Sequence, residues 1–200
     1  MSDGDLFAVV GRQRACRTFS DAAVTDTDLA ALLAAATHAP SAENRQPWEF
    51  VVVRDATTRA AIGDLTRRAW ETHGRAFSAT RLTPELFTDV DRGATGGVAA
   101  APVNIVVCAD LVRGLEATVP SSIFPAVQNL LLAATAVGLG SALTTITTGF
   151  RVELGTLLDL PAHVVAVAVV PVGWPARPLG PPRREPFEEH THRERYGRAW

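Results

Sequence analysis

Hydrophobic and polar positions change period several times along the chain, and each change marks an element. Residues 6–11 carry apolar side chains at helical spacing and run into the arginines Arg12, Arg14 and Arg17, which predicts a short helix. Thr25 and Asp28 have capping-box spacing, and the alanine- and leucine-rich run behind them predicts a helix to about residue 37, halted by Pro40. The β-branched and aromatic run at 48–54 predicts a strand, Asp55 is placed to cap a helix over 57–72, and "VNIVVCA" at 103–109 predicts a buried strand. Residues 117–150 contain no Asp, Glu, Lys or Arg. They read as a helix capped by Ser121 or Ser122 and ended by Gly138, followed by a strand over 142–147. A helix over 151–158, stopped by Pro161, and an uncharged strand over 164–172 complete the pattern. Residues 73–97 are less regular: Pro84 opens a short helix, and Gly93, Gly96 and Gly97 are expected to loosen its end, as in segments that cap a site. Strands alternate with helices, so the expected class is an α+β sandwich.

Composition narrows the function. A chain of 200 residues, 47% hydrophobic, suits one domain over 1–200, with the proline- and charge-rich residues 174–200 as a tail that wraps over another surface. A net charge of −2 gives no basis for binding nucleic acid or an anionic membrane. All 19 cationic residues are arginine, so every anion contact available is a bidentate fork. Cys16 and Cys108 lie far apart without metal-ligand spacing, and the acidic opening Met1 to Asp5 lacks a secretory pattern; both point to a reducing cytoplasm. The uncharged stretch is long enough to raise the question of a membrane span, but Pro120, Pro125, Gln128, Asn129, Gly138 and Gly140 interrupt it. It reads instead as a helix buried on nearly every side, which a chain of this length achieves against a second subunit.

Familiar catalytic patterns are absent. Gly138 and Gly140 give G-x-G, but Leu143 fills the third glycine position and a helix precedes them where a dinucleotide fold requires a strand. No phosphate-binding G-x-x-x-x-G-K and no G-x-S-x-G occurs, and His190 and His192 sit in a charged, solvated tail. What remains is "RQRACRTF" at 12–19, where Arg14 and Arg17, three apart at the frayed end of a helix, would share a face and grip one phosphate. There is also "HAPSAENRQPWEFVVV" at 38–53, an unusually polar elbow in front of a strand.

Four blocks, in order, resemble the signatures of the FMN-dependent nitroreductase family: the arginine block before Phe19, "APSAENRQPWEF" at 39–50, "QNLLLAATAVGLGSA" at 128–142 and "PRREP" at 182–186. The resemblance implies a three-layer sandwich with a mainly antiparallel central sheet flanked by helices, in a domain-exchanged homodimer that holds FMN at the interface. By position it implies flavin-phosphate contacts from Arg14, Arg17, Arg183 and Arg184. Gln13 stands where relatives carry a further arginine, Ala15 where they carry serine, and Arg12 is the neighbouring cation. Pro40, Ser41, Ala42, Asn44 and Gln46 correspond to the loop laid against the partner's flavin, and Leu143, Thr144 and Thr145 to the strand along the ring. The implied activity is transfer of hydride or electrons from NADH or NADPH to a small nitro- or quinone-like acceptor by ping-pong turnover, with flavin-centred chemistry and no metal. Relatives of the same fold that fragment flavin, oxidise azolines or dehalogenate aromatics remain open, as does a non-catalytic flavin or F420 binder.

Overall fold

The computed structural model describes residues 6–200; the acidic opening falls outside the described residues. Four strands, β1 (Trp48–Val53), β2 (Val103–Asp110), β3 (Gly140–Ser141) and β4 (Val164–Gly173), form one sheet in the order β1-β2-β4-β3 with every pairing antiparallel. β2 is buried along its whole length, as its apolar run demands of a strand covered on both faces. Val103, Ile105 and Val107 point to one face and meet α2 (Asp26–Thr37) and α7 (Val119–Ala136) through Leu32, Ile123 and Leu130. Val106 and Cys108 point to the other and meet α3 (Ala56–Ala69), α6 (Val98–Ala100) and α8 (Arg151–Leu157) through Ile62, Val98 and Leu154. The chain is therefore an α+β three-layer sandwich, helices–sheet–helices, as expected. Register slips between Val107 and Cys108, where β4 inserts Val167. The bulge resets the alternation, so Ala166 and Val169 pack on the same face although three residues apart.

Local chemistry sets several boundaries. The Thr25 hydroxyl accepts from the Asp28 N–H at 3.1 Å while the Asp28 carboxylate accepts from the Thr25 N–H at 3.0 Å, closing the capping box of α2. Asp55 accepts from the Thr58 N–H at 2.8 Å and starts α3. Gly138 follows α7 with φ +85, the left-handed stop that glycine allows.

Tertiary packing overrides local reading elsewhere. α7 begins at Val119 with Pro120 in its first turn, and Thr118 at its cap donates its hydroxyl back to Leu115 O at 3.0 Å instead of capping the helix. Ser121 and Ser122 are not caps. Ser122 is buried inside the helix, where its hydroxyl accepts from the Ala42 N–H at 3.1 Å. The strand expected over 142–147 does not form: β3 ends before it at Ser141, only an isolated bridge between Thr144 and Val169 lies within it, and Ile146–Phe150 coils into a 3₁₀ turn. Thr147 turns inward there to meet Thr66 of α3, hydroxyl to hydroxyl at 2.7 Å with both residues fully buried. The segment 73–97 is more helical than expected. α3 runs through a π-helical turn, Trp70–Gly74, into α4 (Arg75–Ala79), and α5 (Pro84–Arg92) runs through a second, Gly93–Gly97, into α6.

The span Glu116–Ala136 is the one candidate, among the described residues, long and apolar enough to cross a membrane by length and composition alone. Here it is the core helix of one layer. Ile123, Ala126, Val127 and Leu130 are sealed against the sheet and α2, while Phe124 and Gln128 on the outer side are exposed. α1 (Leu6–Arg12), which packs on α7, likewise exposes Leu6, Phe7 and Val10.

Candidate functional site

Beyond α1 the arginine block is extended, so Arg14 and Arg17 do not meet by helical periodicity. The Cys16 N–H donates to Ser141 O at 2.9 Å, Ala15 bridges Ser141 in parallel, and the Ser20 N–H donates to Trp174 O at 2.8 Å. The block thus runs as a strand-like segment between β3 and the chain leaving β4. The approach at β3 is close enough that a Cβ on Gly140 would lie 2.6 Å from Cys16 Sγ.

Two adjoining cavities open beside this segment. The first, about 190 Å³, is a largely apolar slot between Val90, Ala94 and Val98 on one wall and Leu143, Thr144 and Thr145 on the other. The second, about 260 Å³, is lined by Arg14, Arg17, Arg92 and Arg177 with Asp89, together with Pro178, Leu179 and Gly180. Arg17 lines both, so the cleft has an apolar part and a cationic part that adjoin at this side chain. Four guanidinium groups against one carboxylate leave the cationic part a formal +3, a donor set suited to a phosphomonoester.

Arg17 is the hinge of this geometry. Burial lowers its pKa, Asp89 opposes that shift, and the like charge of Arg14 adds to it, so a half-buried cation faces a cavity that holds one carboxylate against four guanidinium groups. The second π-helical turn is pressed against it: a Cβ on Gly93 would lie 2.6 Å from Arg17 Cδ, and one on Gly97 would lie 2.5 Å from Arg17 O. The glycines expected to loosen a helix end instead let a helical wall touch the arginine segment. Burial also raises the Cys16 thiol pKa.

Of the residues named from the sequence, Arg14, Arg17, Leu143, Thr144 and Thr145 are brought together in this cleft. Arg12 ends α1 and Gln13 follows it, and neither is a wall residue. Arg183 and Arg184 lie further along the tail, where Arg184 Nη1 donates to the Arg183 carbonyl at 2.9 Å, and neither lines the cleft. The late arginine that does so is Arg177. Sequence reasoning missed it, together with Arg92 and Asp89. The only local signal was an arginine shortly after a strand end.

Pro40, Ser41, Ala42, Asn44 and Gln46 occupy the loop between α2 and β1, outside the cleft walls of their own chain. This loop is strained, with Glu43, Asn44 and Gln46 at φ +54, +55 and +50. Ser41 Oγ accepts from the Gln46 N–H at 3.0 Å, and the Ala42 N–H reaches Ser122, which anchors the loop to the core helix. No group of His, Cys, Asp or Glu that could hold a metal ion occurs among the described residues.

Comparison with known proteins places this architecture. The model of the nitroreductase family matches residues 10–174, from the end of α1 through β4. An Archaeoglobus fulgidus protein provisionally named NADH dehydrogenase/NAD(P)H nitroreductase is 32% identical over 175 residues, covering 86% of each chain. A Rhodospirillum rubrum 5,6-dimethylbenzimidazole synthase is 34% identical over 185 residues, 85% of this chain and 82% of that one. A crystal structure from Desulfovibrio desulfuricans, solved in complex with FMN, is 26% identical with a TM-score of 0.73 and covers 96% of this chain and 97% of its own. A match running through the whole sandwich, with relatives of about the same length, makes this chain a member of the nitroreductase family.

Proposed function

We propose that the protein is an FMN-dependent oxidoreductase that takes reducing equivalents from NADH or NADPH and delivers them to a small, flat electron acceptor. The observation that carries this reading is the cleft itself: an apolar slot leading through Arg17 into an arginine-lined cavity matches a ligand with a planar ring at one end and a phosphate at the other. Arg14, Arg17 and Arg177 would hold the phosphate. The apolar side chains of Val90, Ala94 and Val98 would exclude water from one side of the ring, and the chain at Leu143 to Thr145 would run along its edge. When bound, FMN supplies an isoalloxazine that accepts and returns a hydride equivalent. One open slot serving both reductant and acceptor implies that they bind in turn, and it fits a sequence without a dinucleotide fingerprint.

The same reading takes the protein as a homodimer. Phe124 and Gln128 on the outer side of α7, and Leu6, Phe7 and Val10 of α1, which packs on α7, are exposed and uncharged on one copy. The strained loop carrying Ser41, Asn44 and Gln46 has its polar groups held outside its own cleft, available to that of a second copy. The test is an absorbance spectrum with FMN added, followed anaerobically by each nicotinamide nucleotide. Stoichiometric binding and bleaching are expected; a protein that takes up no flavin, or whose flavin neither nucleotide bleaches, refutes the assignment.

A second reading is flavin fragmentation, favoured by the 34% identity to the 5,6-dimethylbenzimidazole synthase. Reduced FMN under oxygen, followed by mass spectrometry, separates the two. A benzimidazole product selects the second reading, and its absence with sustained acceptor turnover selects the first.

A further inference from the structure

Arg177 lies beyond the stretch matched by the family model, yet it is built into the cationic cavity. The base of the tail is laid along the arginine segment by three ties. The Ala176 N–H donates to Thr18 O at 3.1 Å, Pro175 bridges Phe19, and Arg14 Nη1 donates to Gly180 O at 3.0 Å. The cavity therefore has one wall from the body of the protein, Arg14 and Arg17, and one from the tail, Arg177 to Gly180. Arg92 of α5 adds a further cation, and its Nη1 donates to Asp89 at 3.2 Å. Like charges on facing walls repel, and the single carboxylate offsets only part of that repulsion.

We propose that Arg177 makes this cavity an anion clasp, in which a dianionic phosphomonoester gripped by Arg14, Arg17 and Arg177 ties the base of the tail to the body. A dianion lowers the formal charge of the cavity from +3 to +1, turning repulsion between the walls into a shared contact. Loading of the anion and placement of the tail are then one linked equilibrium, each strengthening the other. The identity of the phosphomonoester rests on the flavin reading above. The clasp does not, because inorganic phosphate presents the same charge and oxygen atoms.

Chymotrypsin tests the clasp at the bond after Leu179, a tail-wall residue 36% exposed, with cleavage followed by mass spectrometry. In the wild-type protein, inorganic phosphate, compared with chloride at equal ionic strength, should slow this cleavage roughly tenfold, and stoichiometric FMN should do the same. Arg177→Gln should abolish the protection and weaken FMN roughly 10- to 100-fold, the loss expected for a charge-assisted hydrogen bond. Arg151→Gln, on α8 away from the cavity, should behave as wild type. Protection of Arg177→Gln equal to wild type, or a wild-type protein protected by neither ligand, overturns the clasp. Protection by phosphate with no binding of FMN refutes the flavin reading alone. Wild-type FMN affinity in Arg177→Gln refutes the clasp alone.

Discussion

Replacing Gly97 by alanine tests the close packing on which the cleft depends. A Cβ there would lie 2.5 Å from the Arg17 carbonyl oxygen, about 0.9 Å inside the 3.4 Å at which ordinary contact begins. The atom it meets is backbone, so neither side can yield by turning a side chain. Overpacking of this kind costs about 1–3 kcal/mol. Alanine also favours helix over glycine by about 0.8–1 kcal/mol, which would mask part of the loss. Gly96→Ala removes that ambiguity: Gly96 belongs to the same π-helical turn, and a Cβ on it meets nothing within 4 Å. The propensity gain is shared, so the difference between the two variants isolates the clash at about 1–3 kcal/mol. For a chain of this size that difference separates their melting temperatures by about 2–12 °C, with Gly96→Ala the more stable. Thermal unfolding followed by circular dichroism reads the gap directly, and the same samples report affinity for FMN. Gly97→Ala should also bind more weakly, because Arg17 is displaced. Two variants that melt together would show that the turn does not press on Arg17 as described.

Three further outcomes follow from side chains elsewhere. Thr66 donates to Ile62 O at 2.8 Å and accepts from Thr147, so Thr147→Val should cost about 0.5–1.5 kcal/mol in chemical denaturation, whereas Thr66→Val strands a buried hydroxyl and should cost about 1–3 kcal/mol. Equal losses would contradict that donor order. Hydrogen bonds hold Asp28, Asp55 and Asp91 below the ordinary value of 3.8, those of Asp91 coming first from the Trp70 indole and then from Arg75. Their stabilisation is complete above that value and is lost as pH falls from it through the lower pKa each group has in the folded protein, so the melting temperature should drop below about pH 4 and drop less in Asp91→Asn. Burial pushes the Cys108 thiol up to about 12 and raises Cys16 as well, so a thiol reagent at pH 8 should label neither cysteine rapidly until denaturant is added. Fast labelling of the native protein would contradict their burial.

Much of the fold was legible because its causes are local. The Thr25 and Asp28 box, the Asp55 cap, the Gly138 stop and the valine-rich strands each depend on residues within a few positions of one another. The expected third strand failed because Thr147 is claimed by Thr66, 81 positions away, and the threonine run gave no sign of that partner. The irregular segment proved helical because Trp70, buried and bonded to Asp91 at 2.9 Å, fastens α3 to α5 across 21 residues. In the cleft, Arg14 and Arg17 were found for a helical reason that does not apply, since an extended segment beside β3 brings them to one cavity.

By itself the sequence determined the layered α+β class, the family and the arginine block, because apolar period, capping residues and motif order are properties of neighbours along the chain. Only the tertiary structure decided which cations share a cavity. Arg17 and Arg177 are 160 positions apart and meet through backbone pairing between the chain leaving β4 and the segment after α1, while Arg92 and Asp89 arrive on a helix that glycines allow to approach. Charge convergence of this kind is set by strand pairing and contact distance, which no local pattern encodes.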